Sequence, residues 1–228
     1  MFLSVEVAFF AANLTKIVHG GWLPLAIALL AFTVLMTWNK GRERVTANRI
    51  RAEGPLNDFI ADLDARDAPV RRVPGTAVFL NANPQTTPLA LRANVENNHV
   101  LHERVIIISI ATERIPYVAD ADRLSVDHLG NPNDVITGLR VRYGFKDEVD
   151  IPHSLHLAVG GNLLDEEIDP DHVFYFLSQI TIVLTDAPGM SRWRKKLFVT
   201  MAHNAATPAG YFGLSNTRTI TIGEHIGV

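Results

Sequence analysis

The sequence predicts an α/β domain that follows one membrane-spanning helix. Residues 22–38 form an apolar run without a charged residue, which has the composition of a membrane span. After Pro69, short runs rich in β-branched residues alternate with segments of helical spacing, which is typical of an α/β fold. The chain has 228 residues, 47% of them hydrophobic, so it is long enough to bury a sizeable core.

The apolar run reads WLPLAIALLAFTVLMTW, between Trp22 and Trp38. At about 1.5 Å per residue, it is near the shortest helix that crosses a ~30 Å hydrocarbon core. A tryptophan at each end matches the aromatic belts at the two membrane interfaces. Pro24 falls in the first turn, where its missing N–H breaks no hydrogen bond. A buried core helix is the alternative, but it would usually be shorter or carry a polar stripe, so we predict a transmembrane helix over residues 21–39.

The flanks of this run predict its orientation. Lys16 precedes it, whereas five basic residues follow it within about 15 positions, which places the C-terminal side in the cytoplasm. These five are Lys40, Arg42, Arg44, Arg49 and Arg51. A signal peptide fits less well, because no basic region precedes the run and no A-x-A type cleavage site follows it.

Residues 2–14, FLSVEVAFFAANL, form a second apolar stretch that is too short to cross a bilayer. It is either the end of a preceding membrane segment or an interfacial helix. We assign residues 1–20 to the end of such a segment and a connecting loop. Glu6 is notable there, since a carboxylate in lipid usually faces protein or water, although a position at the water interface is the simpler interpretation.

Residues 40–72 predict a juxtamembrane helical linker. A basic helix is expected first, then a break at Gly54-Pro55, then a short amphipathic helix that opens near Asn57. Two interpretations of the basic cluster remain open: contact with anionic headgroups, or topological anchoring alone.

The domain over residues 73–228 opens with a β-α-β unit. Strands are predicted at 76–81 and 104–111, with a helix at 86–98 between them, so the two strands should be parallel. The remaining predicted elements are an edge strand at 123–129, a strand at 134–145, a helix at 151–160, a strand at 172–184, a basic amphipathic helix at 191–205 and a terminal strand at 218–228.

Two of these elements carry predictions about burial. In the strand at 134–145, alternation places one face toward the core, and this face is Val135, Thr137, Leu139, Val141 and Tyr143. The basic helix at 191–205 is expected to bury its apolar side chains, which are Trp193, Leu197, Phe198 and Met201.

Composition and motifs exclude several function classes. The net charge of −3 and the pI near 6.3 argue against a nucleic-acid partner. The absence of Cys excludes disulfides, a thiolate zinc site and a cysteine nucleophile. The sequence has no G-x-S-x-G, P-loop or G-x-G-x-x-G motif, and nothing pairs His153 or His156 with a nucleophile. We therefore predict no catalytic residues, no enzyme activity and no cofactor.

Four residues are candidates for binding a regulatory ligand. Gly75 most simply lets the chain turn into the first strand, but its backbone could instead approach a phosphate. Asn81, Asn83 and Gln85 follow that strand, and open α/β sheets tend to bind ligands beyond the carboxyl ends of their strands.

Two polar clusters do not match metal sites. His99, His102 and Glu103 enter a strand, without the i, i+4 pairing of helical zinc ligands. A later acidic run lacks the alternating ligands and central glycine of a calcium loop, and its members are Asp165, Glu166, Glu167, Asp169 and Asp171. No metal ligand is predicted in this chain.

Several stretches, in order, resemble the KUP/HAK/KT family of potassium-uptake transporters. The membrane part resembles it in FFAANLTKIVHGGWLPLAIALLAFTVLMTWNKGRER, and the domain in RVPGTAVFL and NNHVLHERVIIISI. The later stretches VRYGFKDEVDIPHSL, VFYFLSQITI, WRKKLFVTMAHNA and TRTITIGEHIGV are similar to the rest of the family's C-terminal portion. The resemblance covers essentially the whole chain.

The resemblance implies potassium uptake, often proton-coupled, across the bacterial inner membrane by a protein of about a dozen spans. Its potassium ligands would lie in upstream helices, which this chain lacks, so we do not expect the chain alone to transport. The implied partners are potassium, the upstream helices and the lipid bilayer, and a homodimer through the cytoplasmic domain is left open. The alternative is a membrane-tethered module that binds a ligand or nucleotide.

Overall fold

A computed structural model describes residues 2–16, 20–66, 68–129, 136–165, 167–186, 189–203, 212–214 and 217–228. Val135 and Glu166, named above, lie outside these residues. Three helices lead into a sheet domain: α1 (Phe2–Lys16), α2 (Trp22–Glu53) and α3 (Leu56–Asp64).

In the part of the chain that the structure describes, the sheet domain has six strands and four further helices. The strands are β1 (Arg71–Asn81), β2 (Val100–Glu113), β3 (Leu124–His128), β4 (Ile136–Gly144), β5 (Phe174–Val183) and β6 (Thr219–Gly227). The helices are α4 (Leu89–Glu96), α5 (Asp120–Arg123), α6 (Ile151–Gly160) and α7 (Arg192–His203), and Pro170–His172 form a short 3-10 turn. These elements confirm the predicted α/β class.

The strands form one mixed sheet in the order β3-β4-β2-β1-β5-β6. The edge strand β3 is antiparallel to β4, and the other neighbours are parallel. The predicted β-α-β opening is confirmed, with Ala77 of β1 opposite Val105 of β2. The chain builds outward from β1 to β2 and β4, then returns beside β1 with β5. The order therefore reverses between β1 and β5, the place where open α/β sheets usually bind ligands.

Both faces of the sheet are covered, as a largely parallel sheet requires. One face packs on α6 and the other on α3 and α4. The first core includes Val78, Ile106, Ile108, Tyr143 and Leu155, and the second includes Phe59, Phe79, Leu91, Ile107 and Phe176. In β4 the predicted inward face is confirmed at Leu139, Val141 and Tyr143, and Ile136 is also buried because it points into the second core.

Helix α2 is uninterrupted over 32 residues, about 48 Å at the usual rise per residue. It continues through the predicted end of the span at residue 39 and ends at Glu53. The predicted break follows it, because Gly54 has φ +63°, which ends the helix. Within the described residues, α2 is the one helix long and apolar enough to cross a membrane.

Helix α7 confirms the predicted basic helix but corrects its orientation. Trp193 was expected in the core, yet its side chain is 56% exposed, while Lys195 is only 2% exposed. The reason is that α7 packs against α2 as well as the sheet. Phe198 fills the contact with α2, and the Lys195 ammonium donates to the Thr185 carbonyl at 2.7 Å. Leu197 and Met201 are partly buried.

Candidate functional site

Among the described residues, helix α2 contacts the sheet domain in two main places, which together we call the joint. The first contact is made by Thr37, Trp38 and Gly41 of α2 with Arg194 and Phe198 of α7. The second is made by the last turns of α2 with the carboxyl ends of β1 and β6, through Asn48, Arg49, Glu53, Asn81, Thr86 and Gly227. The last turns of α2 are thus bonded to a folded domain rather than lying in a free linker.

The first contact depends on close approach of α7 to α2. The Thr37 hydroxyl is fully buried and accepts a hydrogen bond from Arg194 Nε at 3.1 Å. The Trp38 and Phe198 rings have centroids 5.5 Å apart. The Phe198 ring also occupies the space where a Cβ on Gly41 would stand. A glycine is therefore required at position 41 for this packing.

The second contact is centred on Glu53, whose side chain is 1% exposed. Arg49 Nε donates to one carboxylate oxygen at 2.5 Å, and the Thr86 hydroxyl donates to the other at 2.5 Å. A carboxylate is tolerated at such burial only when charged and hydrogen-bonding partners surround it. A charge-assisted hydrogen bond therefore joins the last turn of α2 to the loop after β1.

Asn81 supports this loop from the end of β1. Its amide nitrogen donates to the Thr86 carbonyl at 2.6 Å and to the Asn83 carbonyl at 2.8 Å, and its Oδ1 accepts from Arg49 Nη2 at 3.4 Å. The backbone adds a bond from the Leu56 N–H to the Gln85 carbonyl at 2.9 Å. Asn48 makes a separate anchor, since its Nδ2 donates to the Gly227 carbonyl of β6 at 2.8 Å.

The structure brings together three of the four predicted ligand candidates. Asn81 ends β1, and Asn83 and Gln85 lie in the loop that follows it, where Asn83 Oδ1 accepts from the Gln85 N–H at 3.0 Å. Gly75 lies six residues earlier in β1, about 20 Å away at the usual strand rise. Its φ of +102° accompanies a register shift between Val73 and Thr76, so the glycine serves a bulge.

At the point where the strand order reverses, α4 and β5 are joined by a hydrogen bond. The Ala90 N–H, in the first turn of α4, donates to the Ser178 hydroxyl of β5 at 3.0 Å. Thr86, in the loop that follows β1, donates to Glu53 at the end of α2. The end of α2 is thus bonded directly to the loop at the carboxyl edge of the sheet.

Sequence reasoning named Asn81 but missed Glu53 and Thr86. The available signal was the Arg49–Glu53 spacing of i, i+4 at the end of an apolar helix, directly before Gly54-Pro55. The partner Thr86 could not be found by spacing, because 33 residues separate it from Glu53.

The two polar clusters have other roles in the structure. His102 packs edge-on against Phe176 with centroids 5.5 Å apart, and burial lowers its pKa. Asp165 and Glu167 form ion pairs with Arg104. In the described part of the chain, no group of three or more His, Asp or Glu side chains is placed to hold a metal ion.

Two family models match this chain. The K+ potassium transporter C-terminal domain matches residues 74–228, and the K+ potassium transporter integral membrane domain matches residues 1–43. No solved structure matches it.

Similar curated proteins carry the name "Probable potassium transport system protein Kup". The protein from Rhodococcus jostii (strain RHA1) is 48% identical over 226 residues, which is 99% of this chain and 34% of that protein. The protein from Anaeromyxobacter sp. (strain Fw109-5) is 41% identical over 230 residues, with the same coverage. The chain thus spans about a third of the length of these relatives. On the domain match over residues 74–228, the chain belongs to the K+ potassium transporter family and corresponds to the C-terminal part of its members.

Proposed function

We propose that this chain is the C-terminal part of a proton-coupled potassium-uptake transporter of the bacterial inner membrane. Helix α2 is its last transmembrane helix, and the sheet domain lies in the cytoplasm. The two family matches support the first statement. The excess of Lys and Arg after residue 38 supports the orientation. This role needs no catalytic residue, so we propose no enzyme activity.

The chain alone does not form the potassium pathway in this proposal. A selective pathway needs several oxygen ligands, held deep in the membrane by more than one helix. The described residues contain one helix that meets the length and composition of a span. The upstream helices are therefore the necessary partners, and a homodimer through the domain stays a prediction for mass measurement in detergent.

The buried Glu53 carries the proposal that the domain assembles or regulates the transporter. It ends the same continuous helix that begins at Trp22, and it is bonded to Thr86 in the sheet domain. A displacement of the last span must then move the domain, or break a buried charge-assisted bond. Such a link is what we expect of a domain that assembles or regulates the transmembrane helices.

The test is growth of an uptake-deficient bacterium at limiting potassium. The strain expresses this chain, the upstream two thirds of the Rhodococcus jostii relative, or both together. We expect growth only with both. Adding the Thr86→Val chain in place of the unchanged one should slow growth and potassium uptake if the joint matters for assembly or regulation.

Growth with this chain alone would refute the claim that upstream helices are required. Absence of growth with both parts, when both are found in the membrane fraction, would refute the proposed role as a transporter part. Growth unaffected by Thr86→Val would leave the transporter assignment standing and reject the role of the joint.

The reversal of strand order favours one second candidate, a tethered module that binds a ligand or nucleotide. Asn83 and Gln85 lie at that edge of the sheet, where ligands of open α/β folds bind. A nucleotide ligand should raise the melting temperature of the purified chain, and Gln85→Ala should reduce the rise. No shift with any common nucleotide would reject this candidate.

A further inference from the structure

The N-terminal half of α7 exposes basic and apolar side chains side by side. The Arg192 side chain is 84% exposed, Lys196 is also exposed, and Trp193 is 56% exposed. Nearby Leu184, just after β5, is 51% exposed. Tryptophan and leucine among cations are typical of helices at a membrane interface.

The contacts of α7 place this surface beside the end of the apolar run of α2. Arg194 bonds Thr37, and Phe198 packs on Trp38, the last residue of that run. Trp193 directly precedes Arg194. Trp193 thus belongs to the part of α7 that contacts α2 where its apolar run ends, and the interfacial aromatic belt of a membrane is expected near that end.

A cleft of about 590 Å³ opens between α7 and the segment after β5. Its walls include two exposed apolar side chains, three cations and one carboxylate. They are Leu184, Trp193, Arg192, Lys195, Lys196 and Asp186. Asp186 pairs with Arg192 at 2.7 Å, so the cleft keeps a net positive charge. Cations attract a phosphodiester, and Leu184 with Trp193 suits the start of an acyl chain.

We propose that α7 and this cleft bind the headgroups of anionic phospholipids in the leaflet that the C-terminal half of α2 enters. The charge of the cleft and its position beside the end of the apolar run of α2 select a lipid surface as the occupant. The proposal rests on α2 crossing the membrane, which the proposed function also requires. Lipid contact would hold the sheet domain against the bilayer.

The test uses the full chain in nanodiscs of phosphatidylcholine, with or without phosphatidylglycerol, and with lipids brominated on the acyl chain. One chain carries Trp22→Phe and Trp38→Phe, so that Trp193 alone fluoresces. A second chain carries Trp38→Phe and Trp193→Phe, so that Trp22 reports insertion of α2. The melting temperature of each variant is compared with that of the unchanged chain, to show that the tryptophan substitutions leave the fold intact.

We expect brominated lipid to quench Trp193, and more strongly with phosphatidylglycerol. Lys196→Gln, or separately Arg192→Gln, should weaken the contribution of the anionic lipid roughly fivefold, as expected for one cation at an anionic surface. Lys146→Gln is the matched control, since it removes an exposed cation next to β4, near the opposite edge of the sheet. High salt should also weaken the effect.

Three outcomes would overturn the inference, and they differ in what they say about the proposed function. Quenching of Trp22 without quenching of Trp193, or quenching of Trp193 that ignores lipid charge, would reject the headgroup site while the proposed function stands. The cleft would then face protein or water. Absence of Trp22 quenching would show that α2 does not insert, and it would reject both proposals.

Discussion

Glu53 is the residue on which the connection between α2 and the sheet domain depends. Its carboxylate is buried at the end of a helix, where the helix dipole is unfavourable for a negative charge. Arg49 and Thr86 offset that cost with two short hydrogen bonds. Because a buried carboxylate that loses a partner is costly, Glu53 favours the one arrangement of the contact in which both partners are bonded.

Thr86→Val should destabilise the joint with little change of shape. The substitution keeps the β-branched form and removes the hydroxyl that donates to Glu53. A hydrogen bond to a charged group contributes about 2 kcal/mol, so we expect a loss of that size in the free energy of unfolding. Denaturant unfolding of the purified chain in detergent measures it.

Thr221→Val is the control for this change. Thr221 is exposed in β6, and valine is as favourable as threonine in a strand. We expect a change within about 0.5 kcal/mol, as for an ordinary surface substitution. Equal effects of the two substitutions would contradict the role given to Thr86.

His102 gives the domain a predicted dependence on pH. Burial lowers the pKa of His102 in the folded state below the ordinary value of about 6.5. At a pH between the folded-state and unfolded-state pKa values, His102 is therefore protonated in the unfolded chain and neutral in the folded chain. The contribution of His102 to stability is fully present above about pH 6.5 and falls as the pH drops toward the folded-state pKa.

His102→Phe should remove this part of the pH dependence. Phenylalanine keeps the aromatic contact with Phe176 and cannot take a proton. Melting temperatures of both chains at neutral and mildly acidic pH provide the measurement. We expect the unchanged chain to lose more stability on acidification than the variant, and an equal loss in both would contradict the assignment.

At the scale of elements, α2 and α7 meet through a glycine. Two helices usually pack with axes 8–10 Å apart, and small residues permit a closer approach. Gly41 is such a residue, because the Phe198 ring lies against its backbone. Because Phe198 and Lys195 occupy the buried face of α7, Trp193 lies on its exposed face.

Gly41→Ala should destabilise the chain, although alanine is the better helix former. Intrinsic propensity favours alanine by about 1 kcal/mol, whereas overpacking of a close contact costs about 1–3 kcal/mol. We expect a net loss of about 1 kcal/mol, because Phe198 must move. Thermal unfolding in detergent, followed by circular dichroism, measures the change.

Gly160→Ala is the matched control for that substitution. Gly160 ends α6, and a Cβ there would meet no atom within 4 Å. The propensity gain should then act alone and leave stability equal or higher. A stabilising Gly41→Ala would show that α7 does not approach α2 as described.

At the scale of the molecule, the joint connects α2 to the sheet domain at two separated contacts. Contacts at Thr37 and at Glu53 lie about 24 Å apart along the helix axis, so a rotation about either contact is resisted by the other. The growth experiment tests whether this unit serves a transporter. The nanodisc experiment tests whether lipid also supports it.

Local patterns in the sequence were sufficient for the elements of this protein. The uncharged run at 22–38, the break at Gly54-Pro55 and the alternation in β4 all depend on neighbours within a few residues. Periodicity therefore predicted the membrane helix, the strands and the parallel opening of the sheet, and the ordered motifs predicted the family.

Only the tertiary structure decided the contacts that join these elements. Glu53 meets Thr86 across 33 residues, and Thr37 meets Arg194 across 157, distances at which spacing carries no information. The exposure of Trp193 likewise depends on α2 taking the inner face of α7, which no pattern within α7 records. The sequence by itself determined the class, the elements and the family of this protein, because those follow from local chemistry. The joint and the cleft beside α7 were decided by packing between residues far apart in the chain.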